Sequence, residues 1–152
     1  MAHSTDTLVP EAQEDGASAA VLMCDIDHFK SINDRYGHEI GDKVLVEIAD
    51  VLRQFAVRHG ALVARYGGEE FAAVVTGRSH EQAARGAEEI RRDCAARTIL
   101  DGVTQLPVTI SIGFTVKEAG FDLGNLMRTA DQALYAAKRH GRDRVEHARD
   151  AA

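Results

Sequence analysis

The chain contains no tryptophan, only two cysteines and 5% aromatic residues. Each shortage excludes something. Without an aromatic platform, single-stranded nucleic acid has little to stack on. Cys24 and Cys94 are too few for a disulfide framework, so the reading is a reduced, cytoplasmic protein. There is no excess of positive charge either. Lys and Arg number 18 against 24 Asp and Glu, giving a formal charge of −6, the wrong sign for wrapping duplex phosphate. No apolar run approaches the roughly 18–20 residues of a membrane span, so no membrane contact is expected. The N-terminus lacks the cationic start and apolar core of a signal peptide. What is present is 152 residues, 45% hydrophobic and 28% charged, the balance of one globular domain.

Residues 1–18 are polar and aperiodic and read as a tail or linker, as do 149–152. The folded domain is expected over 19–148. It opens with Ala19-Ala20-Val21-Leu22-Met23-Cys24, an unbroken apolar run typical of a strand covered on both faces. Val44, Leu45, Ile48, Leu52 and Phe55 step by three and four, predicting a helix over 41–58. Ala83, Ala84, Ala87, Ile90 and Cys94 predict a second, with Ser79 and Gln82 placed as a capping box. Leu123, Leu126, Met127, Ala130, Leu134 and Ala137 predict a third, closed by Gly141 as a C-cap. A shorter helix is expected over 28–35. Strand patterns cover 62–66 and 71–75. At 108–115, Val108, Ile110, Ile112 and Phe114 alternate with Thr109, Ser111, Gly113 and Thr115, predicting a half-buried strand. A last strand is expected over 144–147. The order is β-α-α-β-β-α-β-α-β, an α+β sandwich whose central sheet is mixed or antiparallel and flanked by helices.

Two acidic places stand out. Asp25-Ile26-Asp27 ends the first strand, and Gly67-Gly68-Glu69-Glu70 forms a tight turn between two strands. Consecutive acids on a turn repel one another and are useful mainly beside a cation. If the hairpin lies next to the first strand, Asp25 and Glu69 converge into an oxygen-ligand site with room for phosphates. The plainer alternative is a glycine turn carrying solvated acids. The histidines show no zinc-ligand spacing.

The motifs Asp25-Ile26-Asp27-His28-Phe29-Lys30-Ser31-Ile32-Asn33-Asp34, Gly37-His38-Glu39-Ile40-Gly41-Asp42 and Arg65-Tyr66-Gly67-Gly68-Glu69-Glu70-Phe71 occur in order. Val108-Thr109-Ile110-Ser111-Ile112-Gly113, Ala130-Asp131-Gln132-Ala133-Leu134-Tyr135 and Ala137-Lys138 through Gly141-Arg142 follow them. Together they resemble the GGDEF domain, the diguanylate cyclase family, which condenses two GTP into cyclic di-GMP with loss of two pyrophosphates. The resemblance spans 19–146 and implies a nucleotidyl-cyclase-like fold. It also implies Mg²⁺ (or Mn²⁺) held by Asp25, Glu69 and the Ile26 carbonyl, with Glu69 or Glu70 helping to deprotonate the attacking 3′-hydroxyl. Which glutamate is the base stays open. Asn33 and Asp42 are implied at the guanine edge, Lys138 and Arg142 at the triphosphate, and His38 at the pocket. Gly67, Gly68 and Phe71 complete the signature turn. The partners implied are GTP, cyclic di-GMP, a transient homodimer and an upstream sensory domain.

The chain departs from the family pattern twice. An inhibitory Arg-x-x-Asp that binds product in many members reads Arg58-His59-Gly60-Ala61 here, so the Arg is kept and the Asp is missing. Weak or absent product inhibition follows as an expectation. The usual opening block, Asp-x-Leu-Thr-Gly-Leu-x-Asn-Arg, is reduced to Asp6-Thr7-Leu8-Val9-Pro10-Glu11. The competing readings are a GTP or cyclic di-GMP binding module without turnover, and a cyclase acting on a single nucleotide.

Overall fold

The computed structural model describes residues 18–118, 120 and 122–148. The tails at 1–17 and 149–152, and with them the reduced opening block, lie outside the described residues. Strand β1 (Ala19–Ile26) is followed by helices α1 (Phe29–Tyr36) and α2 (His38–His59), then strands β2 (Leu62–Arg65) and β3 (Glu70–Thr76). Helix α3 (His80–Ala95), strands β4 (Ile99–Asp101), β5 (Thr104–Leu106) and β6 (Ile110–Lys117), helix α4 (Leu123–Arg139) and strand β7 (Val145–His147) complete the order.

The main sheet has five strands in the order β2-β3-β1-β6-β7. All neighbours are antiparallel except β6 and β7, which run parallel. The unbroken apolar run places β1 at the centre, where every residue is buried. Its alternation sorts side chains between two cores. Ala20, Leu22, Cys24 and Ile26 pack with Val44, Ile48, Leu52 and Phe55 of α2 and with Ala87, Ile90 and Cys94 of α3. Ala19, Val21 and Met23 pack on the other face with Leu126, Ala130 and Leu134 of α4. The sandwich is therefore two helices, a sheet and one helix. Burying each large aliphatic side chain contributes about 1.5–3 kcal/mol.

The α+β class, the flanking helices and the mostly antiparallel sheet agree with the sequence reading. The Ser79–Gln82 capping box forms in both directions. Gly141 takes φ 122°, and the Arg142 N–H closes α4 by donating to the Ala137 carbonyl at 3.0 Å, a Schellman closure. Two expectations are corrected. A separate two-stranded hairpin, β4–β5, lies between α3 and β6. Its strands are only three residues long, too short to show a period. Strand β6 is not half-buried, because Ile110 through Thr115 are buried on both faces. The small residues of its second row let α4 settle directly on the backbone: a Cβ on Gly113 would lie 2.0 Å from the Leu134 nitrogen.

Candidate active site

The turn between β2 and β3 is locally determined. Gly67 adopts φ 88°, a left-handed conformation that costs other residues strain. The Tyr66 N–H closes the turn on the Glu70 carbonyl at 2.7 Å. Arg65 reaches over it and donates to the Gly68 carbonyl from Nε at 3.0 Å and Nη2 at 2.6 Å. A Cβ on Gly68 would meet nothing within 4 Å, so the turn presents open backbone. Phe71 anchors the following strand in the core at 3% exposure.

Pairing of β1 with β3 brings the turn to the end of β1. Asp25 stands opposite Glu70, and the Ile26 N–H donates to the Glu69 carbonyl at 3.3 Å. The two acidic segments therefore converge as the sequence anticipates. Asp25 continues the row Ala19, Val21, Met23 and so lies on the α4 side of the sheet. There Lys138, on the last turn of α4, donates to its carboxylate. Burial lifts the Asp25 carboxyl above its ordinary value. Lys138 pulls it back, Asp27 adds repulsion, and Arg142 opposes more weakly. Half-buried Glu70 is also raised, first by burial and then by repulsion from Asp25 and Asp131.

The second acid of the β1 end behaves differently. Asp27 is 5% exposed and is held by three donors: Thr109 Oγ1 at 2.7 Å, Ser111 Oγ at 2.6 Å and the Asp143 N–H at 3.0 Å. It is a hydrogen-bonded cross-link between β1, β6 and the loop after α4.

A second corner forms where α1 meets α2. Gly37 turns the chain at φ 93°, its N–H donating to the Asn33 carbonyl at 2.9 Å. Half-buried Asn33 lies over Gly41, where a Cβ would stand 1.8 Å from its Oδ1. Glycine at 41 is thus a steric requirement of the Asn33 position. Asp42 follows it on an exposed face, and His38 is the exposed first residue of α2. Asn33 and Asp42 thus lie at one corner, Asp42 directly following the Gly41 that Asn33 covers.

Arg58 lies elsewhere. At the end of α2 its guanidinium donates to Glu89 from Nε at 3.2 Å and to Asp93 at 3.3 Å, both on α3. Sequence reasoning gave no role to Asp131 or Arg65. The seven-residue spacing from Asp131 to Lys138 puts both on one face of α4, a signal that was available. Nothing local marks Arg65.

Among the described residues no group of three or more His, Cys, Asp or Glu side chains could hold a metal ion. The oxygens that the β1 end and the adjoining turn could offer are the carboxylates of Asp25 and Glu69 and the Ile26 backbone carbonyl. An all-oxygen set with few protein ligands fits Mg²⁺ or Mn²⁺, which keep positions for phosphate oxygens.

The family described as "Diguanylate cyclase, GGDEF domain" matches residues 1–144. Diguanylate cyclase A of Treponema denticola is 43% identical over 129 residues, which are 83% of this chain and 34% of that protein. Response regulator PleD of Caulobacter vibrioides is 40% identical over 148 residues, 95% of this chain and 32% of that protein. The chain thus spans about a third of the length of these relatives. Among solved structures, the coiled coil and GGDEF domain of DgcB from Caulobacter crescentus in complex with c-di-GMP superposes with TM-score 0.85 and 36% identity, covering 95% of this chain and 77% of that one. Diguanylate cyclase SiaD of Pseudomonas aeruginosa, solved with its activator SiaC, gives TM-score 0.89 at 34% identity over 97% of this chain and 58% of that one. With the acids of β1 and the glycine turn joined as the sequence anticipates, the chain belongs to the GGDEF domain family.

Proposed function

We propose that this domain is a diguanylate cyclase, joining two GTP into cyclic di-GMP across two facing copies. The observation that carries the reading is the convergence of Asp25 and the Glu69-Glu70 turn with Lys138 and Arg142 at one end of the sheet. Asn33 and Asp42 recognise guanine, since a carboxamide and a carboxylate together match its acceptors and N–H donors. Lys138 and Arg142 place positive charge against the triphosphate. Asp25, Glu69 and the Ile26 carbonyl would hold Mg²⁺ or Mn²⁺, which neutralises charge developing on the α-phosphate. Glu69 or Glu70 accepts the proton of the 3′-hydroxyl as its oxygen bonds to the partner's α-phosphorus and the bond to pyrophosphate breaks. Repeating the step in the opposite sense closes the ring and releases a second pyrophosphate.

Each copy holds one nucleotide, so a monomer cannot finish the product. The homodimer is transient, and an upstream sensory domain controls how often two copies meet. The place of work is the cytoplasm, where GTP is available. Among the described residues no helix is long and apolar enough to cross a membrane.

The test is incubation of concentrated protein with GTP and Mg²⁺, with chromatographic measurement of cyclic di-GMP and Glu69→Gln as control. Product that is absent in the control and rises more steeply than linearly with protein concentration supports the reading. A folded protein that binds GTP without forming product makes it a binding module instead.

A further inference from the structure

We propose that Asp27 is a positioning residue: by holding the Asp143 N–H it fixes the loop after α4 so that Arg142 meets the triphosphate. The inference rests on the cyclase reading of the site. Arg142 and Asp143 adopt φ 63° and 45°, two consecutive left-handed conformations, costly for an arginine though better tolerated by an aspartate. They persist because the loop is tied from several sides. The Arg142 N–H is bound to the Ala137 carbonyl at 3.0 Å, and the Arg142 carbonyl accepts from Arg144 Nε at 3.2 Å. The Asp143 carboxylate accepts from Arg91 Nη1 of α3 at 2.7 Å. The Asp143 N–H reaches the Asp27 carboxylate at 3.0 Å. Asp27 is itself locked by Ser111 and Thr109 of the neighbouring strand and segment. The result leaves Arg142 close enough to Asp25 to act on its charge.

A buried carboxylate accepting three donors does not need its charge so much as its two acceptor positions. Asparagine can reproduce them. Its oxygen accepts from Thr109 and Asp143, while its amide donates to the Ser111 hydroxyl, which turns to accept. Alanine cannot.

The test compares binding of α,β-methylene-GTP and of GMP, both with Mg²⁺, to the 152-residue chain and its variants by calorimetry. The Asp143 amide is followed in parallel by hydrogen exchange. Asp27→Ala is expected to weaken the triphosphate analogue about tenfold, leave GMP unchanged and expose the Asp143 amide. Asp27→Asn should restore both. In an Arg142→Ala background Asp27→Ala should add no further loss. Should Asp27→Ala not fold, the Thr109→Val, Ser111→Ala pair keeps Asp27 but removes two of its anchors, and an intermediate loss confined to the triphosphate is expected. Equal weakening of GMP, or a full additional loss in the Arg142→Ala background, overturns the proposal. A wild-type chain that binds the triphosphate analogue no better than GMP overturns the site reading beneath it, and the two failures are thereby distinguished.

Discussion

Lys138 at the end of α4 donates to Asp25 at the end of β1 across 113 residues of sequence, pinning the helix to the strand at the site. The carboxylate side chain is 6% exposed and the lysine 32%, so the pair is shielded on one side only. Removing the lysine alone leaves a buried carboxylate unpaired, and Lys138→Met is expected to lower stability by about 2 kcal/mol. Adding Asp25→Asn should return most of that loss while turnover stays absent. Urea unfolding of the single and double variants checks this. A Lys138→Met domain as stable as wild type would show that the pair does not form in solution.

Glu70 gives the domain a pH dependence. Burial first, and the neighbouring carboxylates of Asp25 and Asp131 second, raise its pKa in the folded state above the ordinary 4.5. A carboxylate raised on folding costs stability above its unfolded pKa; the cost shrinks once pH falls below the folded pKa and the folded form protonates, and is gone when the unfolded form protonates as well. Glu70→Gln should therefore raise the melting temperature of the ligand-free domain at pH 7. The gain should shrink to nothing as pH approaches 4.5 and below. Thermal unfolding across that range is the measurement, and a destabilised Glu70→Gln at pH 7 would contradict the raised value.

Much of this arrangement was legible in the residues. The helix stripes, the capping box and the meeting of Asp25 with the Glu69-Glu70 turn follow from periodicity and from a hairpin beside a buried strand. What was not legible depends on contacts between distant segments. Asp25 and Asp27 look alike in sequence, yet one faces a lysine from α4 and the other a cage of three neutral donors. Only the packing of β6 and of the loop after α4 separates them. Likewise Ser111, Gly113 and Thr115 read as a solvent row because they are small or polar. They are in fact the flat seat of a helix, a role their size permits but does not announce.

Arg58 is engaged within the domain, and inhibition by cyclic di-GMP is not expected. Its guanidinium is already shared between Glu89 and Asp93, and the position three residues on is Ala61, 9% exposed, with no carboxylate to assist. Cyclic di-GMP added in excess should leave the initial rate unchanged. Ala61→Asp alone should not create inhibition, because Arg58 stays neutralised by α3 and the new carboxylate is placed in a buried position. Initial rates with and without added product decide the matter. Strong inhibition of the unaltered domain would mean that Glu89 and Asp93 release Arg58 readily.

The same substitution at two glycines separates folding from function. At Gly113 a Cβ would fall 2.0 Å from the Leu134 nitrogen and 2.4 Å from the Ala130 carbonyl oxygen. These are backbone atoms of α4 and cannot step aside singly. Gly113→Ala must push the whole helix from the sheet, taking Lys138 away from Asp25, and should cost about 3 kcal/mol. At Gly68 a Cβ meets nothing within 4 Å, so Gly68→Ala should change stability by less than about 0.5 kcal/mol. If that open space is where the nucleotide passes close to the backbone, Gly68→Ala nevertheless loses turnover. Denaturant unfolding and cyclic di-GMP formation, measured on both variants, test the two halves independently. A fully active Gly68→Ala would remove the turn backbone from the substrate's path and leave its acids as the only part of the turn that acts.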